Sequence, residues 1–159
     1  MHRTQPALSA AALATIHGLL GQLSQQAHMR CAFLCDLGGQ ELASWTEQAD
    51  LDLVSLAALA AGDLMATMEI ARILGGKRAC NVIIQEHDEM IILVARVGEG
   101  LVLLMATGVD VPVGWSRLAI KRTSDRILEV VGSAAMTPPP LVMSDDFVAS
   151  FNAQIDTIW

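Results

Sequence analysis

The stretch 51–75, LDLVSLAALAAGDLMATMEIARILG, constrains the fold more than any other part of the chain. It is rich in Leu, Ala and Met, contains no Pro, and runs into Gly75-Gly76, a helix-stop signal. Asp50 and Asp52 stand where a helix start favours acids, so the pattern predicts a helix of about 24 residues, roughly 36 Å long. Projected at about 100° per residue, one arc gathers Leu53, Leu56, Leu59, Leu64, Ile70, Ile73 and Leu74. The other arc holds Val54, Ala57, Ala58, Ala61, Gly62, Met65 and Met68, with charge only at Glu69 and Arg72. A helix on the surface of a monomer carries a wet face, and this one nearly lacks it. The expectation is burial on both sides, the bulky arc on a sheet and the small-and-Met arc against another helix or subunit. Small side chains let backbones approach, and Met adapts to a partner's shape.

A chain of 159 residues is long enough for one domain with its own core. Hydrophobic residues make up 53% but aromatics only 4%, and Tyr is absent, so the core is aliphatic and little is left to stack bases. With 17 acids against 10 Lys and Arg, the net charge of -7 argues against nucleic acid or an anionic membrane as the main partner. A positive mean hydropathy of +0.46 again points to surface hidden in an oligomer. Cys31, Cys35 and Cys80 form no CxxC pair and no disulfide framework, which suits a reducing, cytoplasmic setting. Near the N-terminus, Ser9, Thr15 and His17 interrupt the apolar run, while Leu8, Ala12, Ile16, Leu19 and Leu23 recur at helical spacing. That reads as an amphipathic helix and not a signal peptide. No stretch reaches about 18 clean apolar residues, so no membrane insertion is expected.

In chain order, residues 7–28 predict a helix. MRCAFLCD (29–36) and ELASW (41–45) predict a hairpin around Leu37-Gly38-Gly39-Gln40. After the central helix come three strands, CNVIIQE (80–86), MIILVARV (90–97) and LVLLMAT (101–107), joined by turns at His87-Asp88 and Gly98-Glu99-Gly100. Their nearly continuous apolar runs imply a sheet covered on both faces, and the short turns make it antiparallel. A last helix begins near Pro112 and is expected to end on Gly132. Val113, Ile120, Ile127 and Val131 give it a buried stripe, and Arg117, Lys121, Arg122 and Arg126 a basic one. The result is a domain over 1–135, with a five-stranded antiparallel sheet, the central helix on one face and the terminal helices on the other. MTPPP opens a stiff joint over 136–143. Ser144-Asp145-Asp146 then starts an amphipathic helix over 144–159, with Phe147, Phe151, Ile155 and Ile158 on one face. That tail holds two of the three Phe and one of the three Trp, so it is expected to dock, on its own domain or on a partner.

No catalytic constellation emerges. Gly75-Gly76-Lys77-Arg78 follows a helix instead of opening one and lacks the Ser or Thr of a phosphate loop, so it reads as a cap and turn. Glu86-His87-Asp88-Glu89 is a polar hairpin tip. Cys31 and Cys35 share a strand face about 13 Å apart and read as small buried hydrophobes. His2, His17, His28 and His87 have no spacing to a nucleophile. No cofactor or metal is expected. The basic stripe is a solvated face by default, with docking of an acidic patch as its functional alternative. Asp63 falls among the bulky residues of the central helix, and either reaches out at its edge or hydrogen-bonds a turn.

The strand order, with AFLCDLGGQELASW, LAALAAGDLMATMEIARILG and GWSRLAIKR, resembles the roadblock/dynein light chain family over residues 7–135, and in particular its bacterial MglB-like branch. PPPLVMSDDFVASFNAQIDTIW is similar to that branch's C-terminal extension. The resemblance implies a profilin-like or longin-like α/β sandwich, α-β-β-α-β-β-β-α, that forms a homodimer by pairing central helices and joining third strands. It also implies a partner, a Ras-like small GTPase whose hydrolysis is accelerated by reshaping, with no catalytic group contributed. The alternative is a scaffold or exchange platform that recruits a GTPase or motor complex. By position, the resemblance assigns Ala58, Ala61, Gly62, Met65, Glu69 and Arg72 to the dimer and partner surface, and Phe147, Phe151 and Ile155 to tail docking.

Overall fold

The computed structural model describes residues 8–77 and 82–135. The elements are α1 (Ala10–Ala27), β1 (Met29–Asp36), β2 (Glu41–Thr46), α2 (Leu53–Ile73), β3 (Val82–Glu86), β4 (Met90–Val97), β5 (Leu101–Gly108) and α3 (Val113–Ala135). The five strands form one antiparallel sheet in the order β2-β1-β5-β4-β3. This is the α/β sandwich expected from the sequence.

Local chemistry sets the ends of the elements. Ser9 caps α1, its side chain accepting from the Ala12 amide at 3.1 Å. Asp52 caps α2, accepting from the Ser55 amide at 3.1 Å and hydroxyl at 2.6 Å; these two bonds hold its carboxyl below its ordinary value. At the far end Gly75 takes φ +81°, and the Gly75 and Gly76 amides close on the Arg72 and Ala71 carbonyls at 3.1 and 2.8 Å. The Gly-Gly-Lys-Arg run is therefore a helix cap as far as it is described. In the β1–β2 turn, Asp36 accepts from the Gln40 amide at 2.8 Å and Gly39 takes φ +81°.

The central pair β1 and β5 divides the core by simple alternation. Ala32, Leu34, Leu103 and Met105 join Ile16, Leu20, Leu23, Ile120 and Ile127 of α1 and α3 on one face. Cys31, Phe33, Cys35, Val102, Leu104 and Ala106 join Ala57, Ala60 and Leu64 of α2 on the other. Two helices thus cover one face, and α2 alone covers the other. At about 25 cal/mol per Å2 of apolar area, both layers contribute, but among the described residues only α2 has no neighbouring helix.

Several boundaries differ from expectation: α1 runs only from Ala10 to Ala27, α2 only from Leu53 to Ile73, and the end of α3 moves. α3 does not end on Gly132 but continues to Ala135. Gly132 keeps a helical backbone with open space around it, and Ser133 bonds back to the Val130 carbonyl at 2.9 Å. A glycine in an exposed turn of helix costs about 1 kcal/mol against Ala, too little to stop a helix whose next residues are Ser, Ala and Ala.

Candidate functional site

α2 meets the sheet with its small side. Ala57, Ala60, Ala61 and Leu64, spaced i, i+3, i+4 and i+7, are all at most 3% exposed, with Leu53, Leu56 and Met68 half-buried beside them. The bulky arc expected against the sheet is mostly turned to solvent: Leu59 is 70% exposed, Ile70 58%, Ile73 69% and Leu74 81%. The helix is rotated from the expected setting because the sheet already supplies the bulk. Phe33, Val94, Val102 and Leu104 fill the layer, so the helix must bring Ala and approach closely. Gly39 shows how closely: a Cβ there would lie 2.7 Å from the Cα of Ala58.

The site residues therefore separate. Ala58, Gly62, Met65, Glu69 and Arg72 are exposed on one face of α2. Ala61 is not with them. At 3% exposure it is buried, so its assignment to the partner surface is corrected. Leu59, Ile70 and Ile73, expected against the sheet because of their bulk, are exposed instead and join Val54, which the sequence places on the outer arc. The regular stripe of Ala57, Ala60, Ala61 and Leu64 was the signal that could have found them. Phe147, Phe151 and Ile155, with Cys80 and the joint, lie outside the described residues.

The outward face is apolar over nearly its whole length. Glu69 and Arg72 form a two-pronged pair, Nε to Oε2 at 2.9 Å and Nη2 to Oε1 at 2.6 Å, each holding the other's charged form. Such an exposed pair adds little stability, but it leaves the face without a lone charge. At the rim, Asp63 accepts from Gln85 Nε2 of β3 at 2.7 Å, tying the helix to the outer strand. By length and mean hydropathy (1.5), α2 is the one described helix able to cross a membrane, a test that a core helix also passes.

The other candidate groups do not converge. His17, His28 and His87 are exposed on separate elements, as are Glu86, Asp88 and Glu89 on their turn. Among the described residues, no three His, Cys, Asp or Glu side chains come together as metal ligands would. Cys31 and Cys35 are buried free thiols under α2. Burial raises both, and Cys35, with the Asp36 and Glu41 carboxylates near it, is pushed up to about 11. Arg117, Lys121, Arg122 and Arg126 are exposed along α3, and Arg126 donates to Gln22 of α1 at 3.0 Å.

No protein-family model matches the chain, and no curated protein matches it in sequence. Solved structures do. MglB of Myxococcus xanthus superposes with a TM-score of 0.71 at 27% identity, over 75% of this chain and 96% of that one. The gliding protein MglB of Thermus thermophilus gives 0.74 at 26%, over 81% and 98%. A Roadblock/LC7 domain from Streptomyces avermitilis gives 0.64 at 20%, over 76% and 98%, which shows the shared fold. With the same elements matched almost end to end in both MglB structures, the chain has the roadblock fold and is similar to the MglB-like roadblock proteins.

Proposed function

We propose that this chain is a homodimeric regulator of a Ras-like small GTPase in the cytoplasm, part of a gliding system, and that it speeds GTP hydrolysis by reshaping its partner. The observation that carries the proposal is the outward face of α2. Val54, Leu59, Met65, Ile70 and Ile73 are each at least half exposed around small Ala58 and Gly62. A stripe from Val54 to Ile73 is roughly 29 Å long at 1.5 Å per residue, long enough for two copies to pair about a twofold axis. Small residues at the crossing let the two backbones approach, and the neutralised Glu69–Arg72 pair is cheaper to cover than a lone charge.

The proposed mode of activation follows from what the surface offers. Hydrolysis of a γ-phosphoryl group depends on positioning and on electrostatic stabilisation, both of which a GTPase can supply from its own residues. Arg72, the arginine on the candidate face, is committed to Glu69 and is not a free finger. The contribution expected of this chain is thus a rigid surface that selects one conformation of the partner's loops.

Single-turnover GTP hydrolysis by the cognate GTPase, with and without this protein, tests the reading. Acceleration supports it. Binding without acceleration makes the protein a scaffold, and faster nucleotide release makes it an exchange platform.

A further inference from the structure

α3 packs over β4 and β5 and leaves a groove above β3 on the same side of the sheet. Its volume is about 570 Å3, with Val82, Val97 and Leu128 as apolar lining and Arg117, Lys121 and Asp125 at its edge. Around Val97, Gly98 and Leu128 it runs into a second groove of about 510 Å3, which reaches Leu101 and Val131 near the end of α3. Arg117 and Lys121 are exposed, and among the described residues neither has an ion-pair partner.

We propose that residues 144–159 dock in this groove on their own domain, as a helix lying beside α3. In this proposal the acidic start of the segment, Asp145 and Asp146, is matched to Arg117 and Lys121, and its apolar Phe147, Phe151 and Ile155 to the exposed Leu128 and half-buried Val82. Three observations converge on this occupant. The segment carries Asp145, Asp146 and Asp156 and no Lys or Arg, so its charge complements the basic edge. Its apolar residues recur at helical spacing, and the groove offers Val82 and Leu128 to them beside the polar Arg96, Ser124 and Asp125.

The third observation is reach. From Ala135 back to Lys121 is about 21 Å along α3 at 1.5 Å per residue. The joint 136–143, stiffened by Pro138, Pro139 and Pro140, spans about 25 Å when extended at 3.1 Å per residue. It therefore delivers the start of the tail helix to the basic end. The neighbouring groove is closer to Ala135, but its described lining holds no Lys or Arg to receive an acidic segment. The N-terminal residues 1–7, MHRTQPA, offer neither the acids nor a repeated apolar face.

This inference does not depend on the GTPase reading. It gives the basic stripe an occupant within the chain, and any partner that recruits the tail must first displace it. Two measurements on the full chain test it. The first couples lysine to carboxylate with a zero-length carbodiimide, in a mixture of ordinary and 15N-labelled protein. The chain has only two lysines, Lys77 and Lys121. The expected product joins Lys121 to Asp145 or Asp146 within one chain. Links to these acids only between differently labelled chains, or only through Lys77, overturn the proposal. The second is hydrogen exchange, in which the amides of 147–158 should exchange at least about 10-fold slower than in a free peptide. Arg117→Glu with Lys121→Glu, and separately Phe151→Asp, should abolish that protection. Unprotected amides in the wild type, or protection unchanged in both variants, overturn it.

Discussion

α2 and α3 are helices of similar length, 21 and 23 residues, laid on opposite faces of one sheet, and they solve the problem of an outer face differently. α3 has a neighbour in α1, buries Ile120 and Ile127, and presents mainly charge to solvent, Arg117, Lys121, Arg122, Asp125, Arg126 and Glu129, with Trp115, Leu118 and Leu128 also exposed among them. Among the described residues α2 has no helical neighbour; it buries mainly alanines and presents Val54, Leu59, Met65, Ile70 and Ile73. The first is the ordinary division of an amphipathic helix. The second inverts it, with the small residues inside and the larger ones outside. An inverted helix makes sense when its outer face is itself an interior, in an assembly larger than one chain.

The largest effect expected from this contrast is in the core under α2. Leu64→Ala removes a fully buried side chain and should lower the unfolding free energy by about 3 kcal/mol, read from denaturant midpoints. Leu59→Ala, on the outer face of the same helix, should change the stability of the isolated protomer by less than about 0.5 kcal/mol. Similar losses in the two variants would mean that the two faces of α2 are not distinct.

Next comes the outer face itself. Because Ala61 is buried, an Arg there would test the core, so the informative position is Gly62, which is exposed with open space around it. Gly62→Arg should weaken self-association at least about 100-fold, as expected for bulk and charge at the centre of an interface. The protomer should stay folded, since Arg is a better helix former than Gly. Arg122→Ala on α3 should leave association unchanged. Light scattering across a concentration series distinguishes the outcomes, and a wild type that is monomeric at micromolar concentration would sink the dimer outright.

Gly39→Ala should cost about 2 kcal/mol, combining a side chain at φ +81° with a Cβ 2.7 Å from the Ala58 Cα. Thermal unfolding reads it. A neutral result would mean that α2 can lift from the β1–β2 turn without cost. The position also shows what the sequence made legible. Gly38-Gly39 marked the turn, and β1 and β4 begin and end at Met29, Asp36, Met90 and Val97 as expected, because hairpin ends depend on local residues. The setting of α2 depends on Phe33 and Leu104, which are distant in sequence from the helix they push against. Periodicity located the helix and its lack of a polar face, but bulk alone placed Leu59 and Ile73 on the wrong side and Ala61 on the surface. Asp63 needed Gln85 of β3 to be explained, a partner 22 residues away.

The smallest effect is confined to one thiol and tests whether α2 stays seated. Cys35 lies under the helix, its Sγ 3.7 Å from the Ala57 carbonyl, and its ionisation is pushed from 9.0 up to about 11. At pH 8 its thiolate fraction, and with it the rate of alkylation, should be about 100-fold below that of an unfolded reference, even before shielding. The linked stability has a definite sign. Between about pH 9 and 11 the folded chain keeps a proton that the unfolded chain has lost, so this contribution is complete below pH 9 and declines as pH rises through that window. Cys31, also raised by burial, acts in the same direction. Mass spectrometry of the peptide carrying Cys35, after brief alkylation at pH 8, makes the measurement. Labelling as fast as in denaturant would mean that α2 opens readily from the sheet, and the stripe of Ala57, Ala60 and Leu64 would then be no core.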